Sequence, residues 1–456
     1  MFSIFARKLN PERARKIAGE VMDAAENESK EVAWTKAQPL LKGSKELRDA
    51  AVGLVLLAKE HAFEREQALE AFAAVASDYP NDPEMLGLLG EGFEGLCDIR
   101  YLNAAPPEDP VLLEIAASLL QLERSGGVSG DEEVALLRGL SVAARLLGRA
   151  WDDVTERCEK RLVELKPDNW QLHYNLGLFY KTRGRFEEGC AANQEAFDRG
   201  GAEDKAVQWN LGICATGARN SERALQVWKS FGHKIEVGRF LLPDGPYPDL
   251  KVRLAQFPLA ERAGLERDEP GFEETVWVER LSPCHGIIRV AVFQDLGVDY
   301  GDAILFDGAP ITYHEVNGES VPVLPHLATL KRSGYRILPF GGTQQATGQI
   351  VQLSEHLPAD TVLYPHTENL EFVCQECWES SRPHQHHADM PEHRVVTGKL
   401  CIPPDLDPLD ILKAIDRAVA ESGAVQLFIP ELCALVGDTE RAEVESRRLA
   451  MIQENK

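Results

Sequence analysis

Residues 169–232 read NWQLHYNLGLFYKTRGRFEEGCAANQEAFDRGGAEDKAVQWNLGICATGARNSERALQVWKSFG, a stretch that contains one pattern twice. Asn175-Leu176-Gly177, followed by Tyr180 and Gly184, returns as Asn210-Leu211-Gly212, followed by Ala215, at a spacing of 35 residues. Twelve residues after each of these glycines stands a small residue, Gly189 and then Ala224, and four further on a larger one, Asn193 and then Trp228. A period of this length marks a stacked array of helix pairs. Two helices of a pair cross closely only where one offers a hydrogen or a methyl as its side chain. Small residues therefore mark the crossings, and bulky ones fill around them.

Toward the N-terminus the pattern weakens but keeps its phase. Leu89, Gly90 and Phe93 repeat the first-helix triplet, while Ala68, Phe72 and Pro80 repeat the end of the hairpin before it, and Pro167 closes another. Between the early and later copies the phase slips by about 19 residues around Leu122 to Asp131, where Ser125-Gly126-Gly127 and Ser129-Gly130 read as an inserted loop. Five hairpins are expected. A single hairpin cannot bury its own apolar face, so such units gain stability by stacking, and the stack leaves a concave groove lined by first helices.

The repeat resembles the tetratricopeptide repeat family, whose pattern is a Leu-Gly pair, an aromatic three residues later, and then a small residue, an aromatic and an alanine on the second helix. Ala196 and Trp228 fit that pattern and Asn193 departs from it. The resemblance covers the N-terminal half and implies a groove that binds peptides or other extended segments. It places Asn175 and Asn210 at the family's groove asparagine, where a side-chain amide can pair with a ligand's backbone N–H and C=O. The basic clamp that some members use on a terminal carboxylate has no counterpart here.

Leu242-Pro243-Asp244-Gly245-Pro246-Tyr247-Pro248 then ends helical order. The expected organisation is a helical solenoid over 1–242, a linker over 243–272 with a short helix-like segment from Val252 to Ala263, and two further parts. These are a small antiparallel sheet or partial barrel over 273–326 and a mixed α/β domain over 327–456. In the last part the order reads strand (335–340), helix (343–357), strand (361–364), loop, strand (394–402), helix (408–422) and strand (425–429), two βα units on a mixed sheet. The fold class is thus an α solenoid followed by an α+β half.

Nine of the 12 histidines lie at or beyond His285, four of them between His384 and His393. Cys374-Gln375-Glu376-Cys377 supplies two thiolates at a knuckle, with His366 before it and His384, His386, His387 and His393 after it, a donor set that suits tetrahedral zinc. The stretch from Glu371 to Glu392 has almost no apolar side chain after Trp378, so a bound metal is the economical way to order it. The reading is a structural zinc site, with a solvated histidine-rich loop and an open catalytic metal site as alternatives. Cys284-His285 are further candidates for the same site. Gly341-Gly342-Thr343 follows a strand and opens a helix, where backbone N–H groups can cradle phosphate, but it lacks the lysine of a P-loop and the third glycine of a dinucleotide fingerprint. It reads as turn geometry, and so do Asp299, Asp302 and Asp307.

The 73 acidic against 49 basic residues give a formal charge of −24 over 456 residues, which opposes nucleic acid and anionic membrane surfaces as partners. No run approaches the roughly 18 apolar residues of a membrane helix, and Cys97, Cys158, Cys190 and Cys214 stand singly in helical patterns. The expectation is a cytoplasmic adaptor that holds a protein or peptide partner, not an enzyme. The alternative is a metal-dependent enzyme, such as a hydrolase, whose repeats recruit substrate and whose Cys/His cluster carries an activated water.

Overall fold

The computed structural model describes residues 9–96, 110–260, 271–372 and 392–454. The chain divides into two compact units, Met1–His233 with Leu259–Pro270, and Lys234–Pro258 with Gly271–Lys456.

The described residues of the first unit form twelve α-helices, paired in sequence. These are α1 (Pro11–Asn27) with α2 (Lys30–Gly43), α3 (Arg48–Lys59) with α4 (Arg65–Asp78), and α5 (Pro83–Leu96) with α6 (Pro110–Ser125). They continue as α7 (Asp131–Leu146) with α8 (Asp152–Leu165), α9 (Trp170–Thr182) with α10 (Phe186–Asp198), and α11 (Lys205–Gly217) with α12 (Ser221–Ser230). Several starts are fixed by side chains that accept from the otherwise unpaired N–H groups of the first turn: Asn10 from Arg13, Ser29 from Val32, Asn169 from Gln171, and Asn220 from Arg223.

There are six pairs rather than the five expected. Leu122–Asp131 is no insertion: α6 runs through Ser125 and α7 begins at Asp131, so the glycines and serines make an ordinary turn. One apolar core runs without a break from Ala14 to Leu172. Within it Phe72 and Phe93 meet edge to face at 5.0 Å, an arrangement that suits the ring quadrupoles.

The described residues of the second unit form three sheets. A short ribbon pairs β1 (Glu236–Val237) with β2 (Pro243–Asp244). A six-stranded sheet follows, of β3 (Leu250–Ala255), β4 (Glu273–Arg280), β5 (His285–Ile288), β6 (Ala303–Phe306), β7 (Thr312–Val316) and β8 (Glu319–Lys331), in the order β3-β4-β5-β6-β8-β7. β3 also pairs with β8, in parallel. Parity explains the sense of that last pairing. Four antiparallel steps separate β3 from β8, so the two point the same way and can close the sheet only in parallel. Leu250, Val252 and Leu254 alternate with Lys251 and Arg253 along β3 and join a core with Val276, Val278, Ile304 and Phe306. The helix-like reading of 252–263 is therefore corrected: Leu250–Ala255 is a strand, and its period of two outweighs the surrounding charge.

The third sheet has the order β10-β11-β9-β12, with β9 (Arg336–Gln344), β10 (Val362–Phe372), β11 (Glu392–Ile402) and β12 (Val425–Phe428). All three of its pairings are antiparallel, so the mixed sheet is corrected too. The βα connection from β9 through α13 (Gln349–Leu353) to β10 exists, but β11 enters between those two strands and turns both contacts antiparallel. The sheet shares its core with α13, α14 (Pro408–Ser422) and α15 (Pro430–Leu435), through Ile350, Ile411, Ile415 and Leu432. A final helix, α16 (Thr439–Glu454), follows. Glu445 on it is buried and accepts from Ile429 N at 2.6 Å and Arg441 Nε at 2.6 Å.

Candidate partner-binding surface

The two strong repeats superimpose in their packing as they do in sequence. A methyl on Gly177 would lie 2.7 Å from Cγ of Asn193, and one on Gly212 would lie 2.5 Å from Cη2 of Trp228. In both pairs the residue 16 positions after the glycine thus presses its side chain onto the bare helix backbone, which no larger residue than glycine permits. Asn193, the departure from the family pattern, is fully buried and donates Nδ2 to Gly189 O at 2.8 Å. Trp228 is buried in an aromatic cluster, edge to face with Trp209 at 5.2 Å and tilted against Phe231.

The two candidate groove asparagines are not equivalent. Asn175 is exposed on α9. Asn210, on α11, is only 5% exposed, and its Oδ1 accepts from the buried Lys181 Nζ at 2.8 Å. The expectation that both amides face outward is corrected at Asn210, which a long cation on α9 reaches first. Sequence spacing does not disclose this, because Lys181 lies outside the repeated triplets. Phe179–Thr182 and Leu211–Thr216 are buried all round, which confines the exposed part of these two first helices to their N-terminal turns.

A feature not anticipated from the sequence is an open pocket of about 870 Å³ between α6, α7 and α8, lined by Glu123, Glu133, Glu156, Arg157, Lys160 and Arg161 among others. Six of its charged side chains form ion pairs: Arg157 with Glu123 at 3.2 Å, Arg161 with Glu133 at 3.0 Å, and Lys160 with Glu156 at 2.7 Å. Arg185, which stacks on Tyr180 at 4.5 Å, also grips Glu156. That hydrogen bond, more than any other contact, lowers the Glu156 carboxyl to about 2. Only the Glu156/Lys160 spacing of four was visible in the sequence.

In the second unit, Cys374, Cys377, His384, His386 and His387 lie outside the described residues, as does the side chain of His393. His366 is half-buried on β10. Its ring sits edge to face with Phe293 at 5.3 Å and Tyr364 at 5.8 Å, and its Nε2 lies 2.8 Å from Ala291 O. A carbonyl only accepts, so Nε2 donates to it and Nδ1 is the ring nitrogen left for another partner. Among the described residues no group of three or more His, Cys, Asp or Glu side chains could hold a metal ion.

Cys284 and His285 are both fully enclosed, with Ser282 Oγ 2.5 Å from His285 Nδ1, so that nitrogen is already taken. Gly341-Gly342 lies inside β9, with Gly341 opposite Thr397 and Phe428, and is no strand-to-helix turn. A Cβ on Gly342 would collide with Gln426 O, so the glycine serves the close approach of β12. Asp299 accepts from Val292 N, Tyr300 N and Lys399 Nζ, and Asp302 from Asp299 N, Ser333 N and Arg332 Nη1, which accounts for both as turn and anchoring residues.

No family model matches the chain, and no curated protein matches it. Among solved structures, a tetratricopeptide repeat protein from Parabacteroides merdae is 17% identical, with 50% of this chain and 82% of that one covered, at a TM-score of 0.33. The MamA protein is 17% identical over 38% of this chain and 88% of its own, at 0.26, and the assembly chaperone of RpL4 is 15% identical over 49% and 89%, at 0.31. No helix among the described residues is long and apolar enough to cross a membrane.

Proposed function

We propose that the helical unit is a tetratricopeptide-type scaffold that captures a protein or peptide partner on the exposed first-helix face at Asn175. The observation that carries this is the contrast between the two asparagines. Asn210 works inside the fold, whereas Asn175, at the same place in the repeat, spends an amide on the surface of a helix, where asparagine weakens helix propensity. A free amide on a stacked array offers one donor and one acceptor to an extended backbone.

Single substitutions separate the two roles. Asn210→Ala strips an acceptor from a buried ammonium and is expected to cost about 1–3 kcal/mol in urea unfolding. Asn175→Ala should leave stability within about 0.5 kcal/mol and reduce co-purification of the partner from native extract. Equal recovery of the partner by Asn175→Ala and the parent counts against the scaffold reading.

For the second unit we propose a structural zinc site formed by Cys374 and Cys377 with two of the histidines His366, His384, His386, His387 and His393. In support of this reading, the carbonyl that holds Nε2 of His366 leaves Nδ1 for another partner, the arrangement a ligating histidine uses. Chain purified without chelator should contain about one zinc per molecule by atomic emission, as a single four-ligand site requires, and Cys374→Ser with Cys377→Ser should contain none. Metal-free parent protein would remove the proposal.

A further inference from the structure

Two enclosed histidines flank one strand of the six-stranded sheet. His285 of β5 stands opposite Leu305 of β6, and His326 of β8 stands opposite Phe306, the next residue of β6, at a point where the β6–β8 register slips. They are 0% and 2% exposed.

Ser282 Oγ accepts from the N–H groups of Cys284 and His285, both at 3.2 Å, so its own hydrogen is left for Nδ1 of His285. The ring proton of His285 is therefore on Nε2, which is enclosed with no hydrogen-bond partner. Neither ring nitrogen of His326 makes a hydrogen bond of ordinary geometry, although backbone groups of Ala328 and Ala255 lie near enough to favour a proton there.

The charged groups that act on His285 are Asp244, which attracts a second proton, and Arg239, which repels it; Arg239 already holds Asp244 at 2.8 Å. On His326 the charged group is Arg332, which repels. Burial outweighs all of these and pushes both imidazoles down to about 3.

We propose that this histidine pair is an acid-release catch: protonation opens the β5–β6–β8 side of the sheet while the helical unit stays folded. Both rings bind protons more readily once the strands part, so opening takes up protons. The closed form keeps its full advantage above the ordinary histidine range near about 6.5 and loses it progressively below, down to the depressed folded value. Each ring multiplies the opening equilibrium about tenfold between pH 7.5 and 5.5, and the two together about 100-fold.

The test is hydrogen exchange of the full chain, read by mass spectrometry at pH 7.5 and 5.5 and corrected for intrinsic exchange. Peptides covering β6 and β8 should lose about 100-fold protection in the parent and about tenfold in His326→Leu. In the His326→Leu/His285→Asn double variant, where Asn keeps an acceptor for Ser282, they should lose little. α9–α12 should hold their protection throughout. Equal loss in the parent and His326→Leu overturns the proposal, and so does loss of protection in α9–α12 at the same pH. The single variant breaks no hydrogen bond of ordinary geometry and suffices if the double variant does not fold.

Discussion

Gly90→Ala is expected to destabilise the helical unit by about 3 kcal/mol or more, at the upper end of what overpacking costs. Alanine is the better helix former by about 1 kcal/mol, so propensity alone predicts the opposite sign. The close approach decides the outcome. A methyl on Gly90 would lie 2.7 Å from the carbonyl carbon of Gly139 and 2.8 Å from its Cα, and one on Gly139 would meet the backbone of Gly87 in return. Main chain faces main chain between α5 and α7, and no side chain is available to swing aside. The control is Gly19→Ala in α1, an exposed helical site with nothing within 4 Å of the added methyl, where a gain of about 0.5–1 kcal/mol is expected. The two units give no warrant for one shared transition, so the helical signal near 222 nm is the quantity to follow in urea. A stabilised Gly90→Ala would mean that the α5–α7 crossing is looser than described.

Trp228→Ala should cost about 3–5 kcal/mol, the range for removing a large enclosed aromatic. Its ring fills the space over Gly212 and touches both Trp209 and Phe231, and its Nε1 lies 3.4 Å from Thr216 Oγ1. The loss should be local: α11 and α12 should exchange amide hydrogens faster while α1–α5 keep their protection, because repeat stability is built from neighbouring interfaces. Trp228→Phe should recover part of the loss.

What the sequence disclosed follows from the range of the interactions. The Gly177/Asn193 and Gly212/Trp228 contacts join residues 16 apart, so a repeated spacing carries them directly. The α5–α7 crossing joins Gly90 to Gly139, which lies beyond α6 in the chain, and there the triplet Leu89, Gly90, Phe93 is visible but its partner is not. Closure of the six-stranded sheet depends on β3 meeting β8 about 70 residues later, a pairing with no local signature. Gly341-Gly342 was misplaced because paired glycines mark close backbone approach as readily as they mark a turn. Of the two candidate groove residues, Asn175 and Asn210 look alike in the repeat; only packing separates them, through Lys181.

The scaffold reading is tested most directly by a photo-crosslinking amino acid placed at position 175 and, as a control, at position 19, which is also exposed, with each chain irradiated in native extract. The account predicts a discrete crosslinked product from position 175 and none from position 19. No product from position 175, or the same product from both, would contradict it.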